Sequence, residues 1–316
     1  MEEHSPIEKN PNIFDVFFRL TRAQFIPLII LPCALGAALA FHYYHVFNPY
    51  YFALTLLGVV LLHLGGNAID DCYDYQNGVD QIANSMFPKD FGGWKPIPRR
   101  MISVQRAKLI SWLLFTGSLL LALLFTFLVG LWSFILGALG VALAVFYTAP
   151  PAKLDYRGYA LGEMAIFLAF GPVPVLGSFY VQAARLTLPA FLVAMPVGIM
   201  TVTILIDHDM IFYEVYRAAR KFSLAAVLGK ARALSASFSL TLTSYAITIA
   251  LISVRILPIL CLAAPLLSAA ILARKIGVFR QPKQPPPYYV PFTANAMFAN
   301  WVFTLALIAG LLIPLR

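Results

Sequence analysis

Long apolar stretches separated by short polar ones run the whole length of the chain. They fall at about 25–46, 50–74, 104–128, 131–149, 159–182, 188–213, 233–254, 256–275 and 291–314. Each is close to the roughly 20 residues an α-helix needs to cross a bilayer's hydrocarbon. Backbone groups in lipid must bond within their own segment, so each stretch predicts a helix. The pattern therefore predicts an all-α, polytopic membrane protein of about nine spans. The division between the seventh and eighth is marked only by Arg255 and Pro258. Residues 1–316 read as one integral-membrane domain, with 1–24 as a polar segment before the first span. The start carries Glu2, Glu3 and Glu8 instead of a basic region and short apolar core, so a cleaved signal peptide is not expected.

Composition strengthens this picture. The chain is 60% hydrophobic and 12% charged, against about 25% charged in a typical soluble domain. Most of its surface must therefore meet lipid. Cys33, Cys72 and Cys261 lie far apart and suggest neither a disulfide framework nor a zinc site.

Basic residues orient the predicted helices. Lys9, Arg19 and Arg22 precede the first span, and Lys89, Lys95, Arg99, Arg100, Arg106 and Lys108 follow the second. Lys153 and Arg157 follow the fourth, and Arg217, Arg220, Lys221, Lys230 and Arg232 surround the sixth-to-seventh loop. Arg274, Lys275, Arg280 and Lys283 lie in the last loop. Only Arg185, Arg255 and Arg316 fall on the opposite side. Basic loops stay in the cytoplasm, so the N-terminus is expected there and the C-terminus outside, in the inner (cytoplasmic) membrane of a cell. The net charge of +9 is mostly this bias and suits an anionic leaflet. Charges divided among loops between spans argue against nucleic acid as a partner.

The acids change the picture from topology to chemistry. Beyond the N-terminal segment they are Asp70, Asp71, Asp74, Asp80, Asp90, Asp155, Glu163, Asp207, Asp209 and Glu214, all on the same expected side. Charge beside a membrane span is costly and is a marker of function. Asn67, Asp71 and Asp74, spaced four and three apart, share one helical face, with Asp70 beside it and Asp80 after the Asn77–Gly78 turn. Like charges this close call for a cation, and oxygen ligands favour magnesium, which shares its coordination with substrate phosphates. A hydrated acidic turn at a helix end is the plainer alternative. Asp207, His208, Asp209 and Glu214 could add a second cation site or be the mixed charge of an ordinary helix end. Arg157 could bind phosphate bidentately, with Lys153, Lys95, Arg99 and Arg100 nearby in their loops, or these bases could serve topology alone. Phe146, Tyr147, Phe167 and Phe179 could face a carbocation or simply pack.

Together these residues resemble the UbiA superfamily of intramembrane prenyltransferases, in particular its 1,4-dihydroxy-2-naphthoate branch in menaquinone synthesis. The resemblance runs from Thr21–Phe25 through Asn67–Asp80, which is similar to the family's first aspartate motif. It continues through Gly92–Gly93, Phe146–Gly158, Gly162–Glu163, Phe170–Pro172 and Leu176–Gln182, the Phe146–Gly158 run being the most specific. It implies a nine-helix bundle with a central cavity open to lipid. It also implies magnesium-dependent transfer of a polyprenyl group from its diphosphate to an aromatic acceptor. Carried over by position, Asp71, Asp74, Lys153 and Arg157 are the expected catalytic residues, and Asp70, Asp71, Asp74 and Asp209 the expected metal ligands. Asn67, Asp80, Lys95, Tyr147, Asp209 and Glu214 are the expected substrate-binding residues. The second aspartate motif departs from the family: counting back from Leu224–Gly229 puts its two aspartates at Phe212 and Tyr216. That departure motivates a rival expectation, a non-catalytic paralogue that holds a prenyl lipid. A secondary transporter is a third, set back by the gathering of the acids at one face instead of the midplane.

Overall fold

The computed structural model describes residues 12–87, 95–273 and 289–313. Lys89, Asp90, Gly92–Gly93 and the basic residues of the last loop lie outside them, as do Glu2, Glu3, Glu8 and Lys9.

The helices start where the sequence supplies caps and proline. Asn48 accepts hydrogen bonds from the Tyr50 and Tyr51 amides at the head of α3 (Pro49–Gln76), and Pro49 occupies its first turn. Ser103 caps α5 (Val104–Leu128) and Thr187 caps α9 (Leu188–Ile211) in the same way. Gly78, at φ +84°, ends α3 and turns the chain into α4 (Val79–Met86), a conformation in which a side chain would be strained. The other helices are α1 (Ile13–Leu20), α2 (Pro27–Tyr44), α6 (Trp132–Thr148), α7 (Leu161–Phe170), α8 (Pro172–Ala183), α10 (Tyr213–Ala218), α11 (Leu224–Leu228), α12 (Lys230–Ser253), α13 (Ala263–Leu272) and α14 (Val290–Leu312). Among the described residues there is no strand.

Among the described residues each of the nine apolar stretches contains helix, but they are not nine equal spans. Among the described residues, seven are long and apolar enough to cross a bilayer: Ala23–Tyr44, α3, α5, Leu161–Ala183, α9, α12 and α14. The fourth and eighth predicted segments form the shorter helices Trp132–Thr148 and Ile259–Leu272. The chain is an integral, multi-pass membrane protein. The fifth predicted helix is broken in two at Gly171, where Pro172 brings no N–H to continue the ladder. The break lets α7 and α8 lie against α9: a Cβ on Gly171 would stand 2.6 Å from Gly198 Cα, and one on Gly198 would stand 2.6 Å from the Phe167 carbonyl.

Lipid offers helices no hydrophobic reward for meeting, so close packing and interhelical hydrogen bonds hold such bundles. Ser111 on α5 donates to the Gly65 carbonyl on α3 (2.7 Å), Ser244 on α12 to the Pro196 carbonyl on α9 (2.9 Å), and Asn300 on α14 to Thr201 on α9 (3.2 Å). The largest core brings Phe179, Met200, Cys261, Phe303 and Leu307 together from α8, α9, the turn before α13 and α14. α3 packs along α5 and α6. The C-terminal ends of α3 and α9, the turn after α6 and the segments α4, α10 and α11 meet at one end of the bundle, and the charges gather there.

Candidate active site

The helical spacing read from the sequence places Asp71 and Asp74 one turn apart on α3, 1% and 3% exposed. Asp80, on α4, is brought back over them by the Gly78 turn and is equally buried. Buried carboxylates must be paired or neutralised, and three cations from distant parts of the chain do this. Arg22, in a left-handed conformation between α1 and α2, bonds Asp71 and lies 3.1 Å from Asp70. Lys95 Nζ lies 2.9 Å from Asp80, 3.1 Å from Asp71 and 3.7 Å from Asp74. Lys221, after α10, reaches Asp74 at 3.2 Å and Asp155 at 2.8 Å. Tyr156 donates its hydroxyl to the same Asp74 oxygen at 2.7 Å.

Electrostatics follow from this crowding. Burial pushes the Asp80 carboxyl up to about 6 against the pull of Lys95, and pushes Asp155 up to about 6 against the pull of Lys221. Burial alone would depress the Lys95 and Lys221 ammoniums, but the surrounding carboxylates outweigh it and hold both above their ordinary value.

Other expected residues divide into those that join the cluster and those that do not. Asp209, 2% exposed, comes to it from the end of α9. Tyr147 has Asp155, Lys221 and Asp209 as charged neighbours. Lys153 stands beside the cluster, donating to Asn77 at 2.7 Å. Asn67 faces the cluster from one turn below Asp71, its amide turned back on His63 (3.1 Å). Arg157 does not join: its guanidinium bonds the Ala152 and Pro151 carbonyls and braces its own loop. Glu214 is exposed and lies 3.9 Å from Lys230. Asp207 accepts from Ser237 on α12 at 2.9 Å, inside the bundle, and Glu163 accepts from the Leu224 amide at 2.6 Å. Arg22, Lys221, Asp155 and Tyr156 were not singled out from the sequence as site residues. Lys221 meets Asp74 across 147 positions, a distance that no periodic pattern encodes.

The positions where the family pattern expects two further aspartates hold a stack of rings. Phe212 and Tyr216 lie 5.8 Å apart and 19° from parallel, with the His208 ring 4.9 Å from that of Phe212. Lys221 sits 4.7 Å from the Tyr216 ring centre and 5.3 Å from that of Tyr156.

Whether these residues suit magnesium is decided by their donor atoms. Asp70 Oδ1, Asp71 Oδ2 and Asp80 Oδ2 are buried with no hydrogen-bond partner, and all are hard oxygen donors. Among the described residues, Asp70, Asp71, Asp74, Asp80, Asp155 and Asp209 gather around Arg22, Lys95 and Lys221. Among the described residues, no group of three or more His, Cys, Asp or Glu side chains is already arranged to hold a metal. The α3 side therefore suits a cation that takes the rest of its ligands from substrate and water.

Comparison with known proteins agrees with this architecture. The chain is 29% identical over 218 residues to "UbiA prenyltransferase domain-containing protein 1" of Dictyostelium discoideum, covering 66% of this chain and 62% of that protein. It is 30% identical over 212 residues to the 1,4-dihydroxy-2-naphthoate octaprenyltransferase of Mycobacterium tuberculosis, covering 67% and 69%. Its fold is similar to that of a UbiA homologue from Archaeoglobus fulgidus solved with DMAPP and Mg2+: TM-score 0.63, 18% identity, 93% of this chain and 99% of that one. A family model described as the UbiA prenyltransferase family matches residues 29–297. With the bundle, the paired helix-end acids and this match in agreement, the chain belongs to the UbiA prenyltransferase family.

Proposed function

We propose that this protein transfers a polyprenyl group from its diphosphate to an electron-rich aromatic acceptor of the 1,4-dihydroxy-2-naphthoate kind, in quinone biosynthesis. The observation that carries the proposal is the buried cluster of Asp70, Asp71, Asp74 and Asp80, interleaved with Arg22, Lys95 and Lys221 at the mouth of an apolar bundle. Orphaned carboxylate oxygens beside fixed cations suit a hard metal and a polyanion together. The naphthoate prenyltransferase among the relatives supports the acceptor class.

Asp70, Asp71 and Asp74, with Asp80 and Asp209 next to them, would hold magnesium, which when bound neutralises charge on a leaving diphosphate. Lys95, Lys221 and Lys153 hold the diphosphate oxygens by charge-assisted hydrogen bonds, and Arg22 keeps Asp70 and Asp71 in place. Arg157 acts through the loop it braces, which carries Lys153, Asp155 and Tyr156. The allylic C–O bond breaks with its electron pair going to the diphosphate. The ring's π electrons then form the new C–C bond, and the ring proton leaves. Apolar helices around this step keep water from capturing the cation. The basic loops support a cytoplasmic N-terminus and a cytoplasm-facing site in the inner membrane.

A radiolabelled polyprenyl diphosphate, magnesium and a panel of aromatic acceptors, with the protein in nanodiscs, test this. Magnesium-dependent product that disappears in Asp71→Asn is the expected outcome. Turnover that survives Asp71→Asn sinks the metal assignment. A second reading rests on the Phe212–Tyr216 stack: a paralogue that binds the prenyl lipid without turning it over. Tight diphosphate binding with no product from any acceptor favours it.

A further inference from the structure

Below the acidic cluster, α3 continues into the apolar body and carries one more polar side chain, His63. It lies one turn below Asn67 and two turns below Asp71, about 12 Å along the axis at 1.5 Å per residue. Neighbouring positions of α3 are covered by α5 and α6. An added Cβ on Gly65 would stand 3.0 Å from the Phe115 ring, and one on Gly66 would stand 3.3 Å from Ala144 Cβ. His63 is roughly 160° around the helix from Gly65, so it faces away from α5. Its ring meets Phe170, at the end of α7, with 5.8 Å between ring centres and 88° between planes. It is 7% exposed.

Hydrogen bonds fix the position of its proton. The Asn67 amide nitrogen lies 3.1 Å from the His63 carbonyl and 3.1 Å from His63 Nε2. A carbonyl only accepts, so the Asn67 NH2 faces it, and an NH2 only donates. Nε2 is therefore the accepting nitrogen, and the ring carries its proton on Nδ1. Among the described residues no hydrogen-bond acceptor meets that Nδ1–H. A buried donor left unpaired costs free energy, which a ligand oxygen would recover.

We propose that His63 Nδ1–H donates to the carboxylate of the aromatic acceptor and so orients the acceptor ring beneath the diphosphate. This rests on the reading of the protein as a prenyltransferase with a naphthoate-like acceptor. An aryl carboxylate entering an apolar bundle needs donors to offset its lost hydration, and a hydrogen bond to a charged acceptor is the stronger kind. With the diphosphate held at the level of Asp71 and Asp74, the allylic carbon lies below them, toward Asn67. A carboxylate held at His63 sets the ring between that carbon and the Phe170 ring. His63 takes no proton and forms no bond to carbon; it decides which ring is accepted and how it lies.

The test compares 1-hydroxy-2-naphthoate with 1-naphthol, which lacks the carboxylate. Both are titrated calorimetrically into the full chain in nanodiscs, preloaded with magnesium and geranylgeranyl thiodiphosphate, a donor that resists turnover; empty nanodiscs are the blank. The unmodified protein is expected to bind the naphthoate at least about tenfold more tightly than the naphthol, the worth of one hydrogen bond to a charged group. In His63→Leu that ratio is expected to fall to about threefold or less. His63→Asn, whose amide N–H stands near the place of Nδ1–H, is expected to restore most of it. Thiodiphosphate affinity is expected to stay within about threefold of the parent in both variants, a change of well under one tenfold step, which separates loss of the donor from loss of fold. A ratio unchanged in His63→Leu, a ratio lost only together with thiodiphosphate binding, or equal binding of both compounds by the unmodified protein overturns the role of His63 and leaves the diphosphate site standing. No thiodiphosphate binding by the unmodified protein overturns the prenyltransferase reading itself.

Discussion

Lys95 ties Asp71 and Asp74 on α3 to Asp80 on α4, so one ammonium serves three carboxylates from two helices. Removing one partner of a buried ionic group leaves the others uncompensated, typically at about 3–5 kcal/mol. Lys95→Ala is accordingly expected to lower the unfolding temperature and to cut diphosphate affinity by at least about tenfold. Arg157→Ala removes contacts only to loop carbonyls. Diphosphate affinity in that variant is expected to stay within about threefold of the parent, a change of well under 1 kcal/mol. Isothermal titration of both variants with the same thiodiphosphate checks the contrast. At this scale part of the candidate site was legible in the sequence. Asn67, Asp71 and Asp74 follow from helical spacing alone, whereas Arg22, Asp155 and Lys221 become site residues only through tertiary contacts. Arg157 illustrates the opposite limit: motif position implied a phosphate ligand, and local hydrogen bonds hold the side chain on its own loop.

The break between α7 and α8 was invisible in the hydropathy, because both halves are apolar and a window averages across Gly171. It follows from Pro172, which brings no N–H to continue the ladder after Gly171, and it permits a close approach to α9 at Gly171 and Gly198 that one segment's composition does not show. Gly198→Ala would drive a methyl group against the Phe167 carbonyl and ring. Overpacking of this kind costs about 1–3 kcal/mol, so a fall in the thermal unfolding midpoint in detergent is expected. The nine apolar stretches, by contrast, were legible to within a few residues. Solvent sets them, and the sequence pattern reports solvent directly. Two of them, Trp132–Thr148 and Ile259–Leu272, are shorter than a full span.

For the molecule as a whole, the segregation of charge to one end ties function to topology. If the basic loops orient the chain as proposed, a cysteine introduced at Ser85, exposed on α4, reacts with an impermeant maleimide only from the cytoplasmic side. One introduced at Arg185, exposed after α8, reacts only from outside. The natural cysteines are buried and leave the background low. Labelling in right-side-out and inverted vesicles checks both sites, and the reverse pattern would place the acidic cluster outside the cell.

The short helix α1 adds a dependence on surroundings. Its far end, Leu20 and Thr21, is buried in protein, while Ile13, Phe14, Phe17 and Phe18 show apolar surface outward, in the manner of helices that lie at the headgroup boundary. Arg22 follows directly and grips Asp71. One of the three cations of the cluster is thus held at one end by the bundle and at the other by whatever lipid surrounds it. The bilayer is then expected to be a structural neighbour of the charged cluster, and a micelle that fails to reproduce its flat boundary is expected to loosen the grip of Arg22 on Asp71.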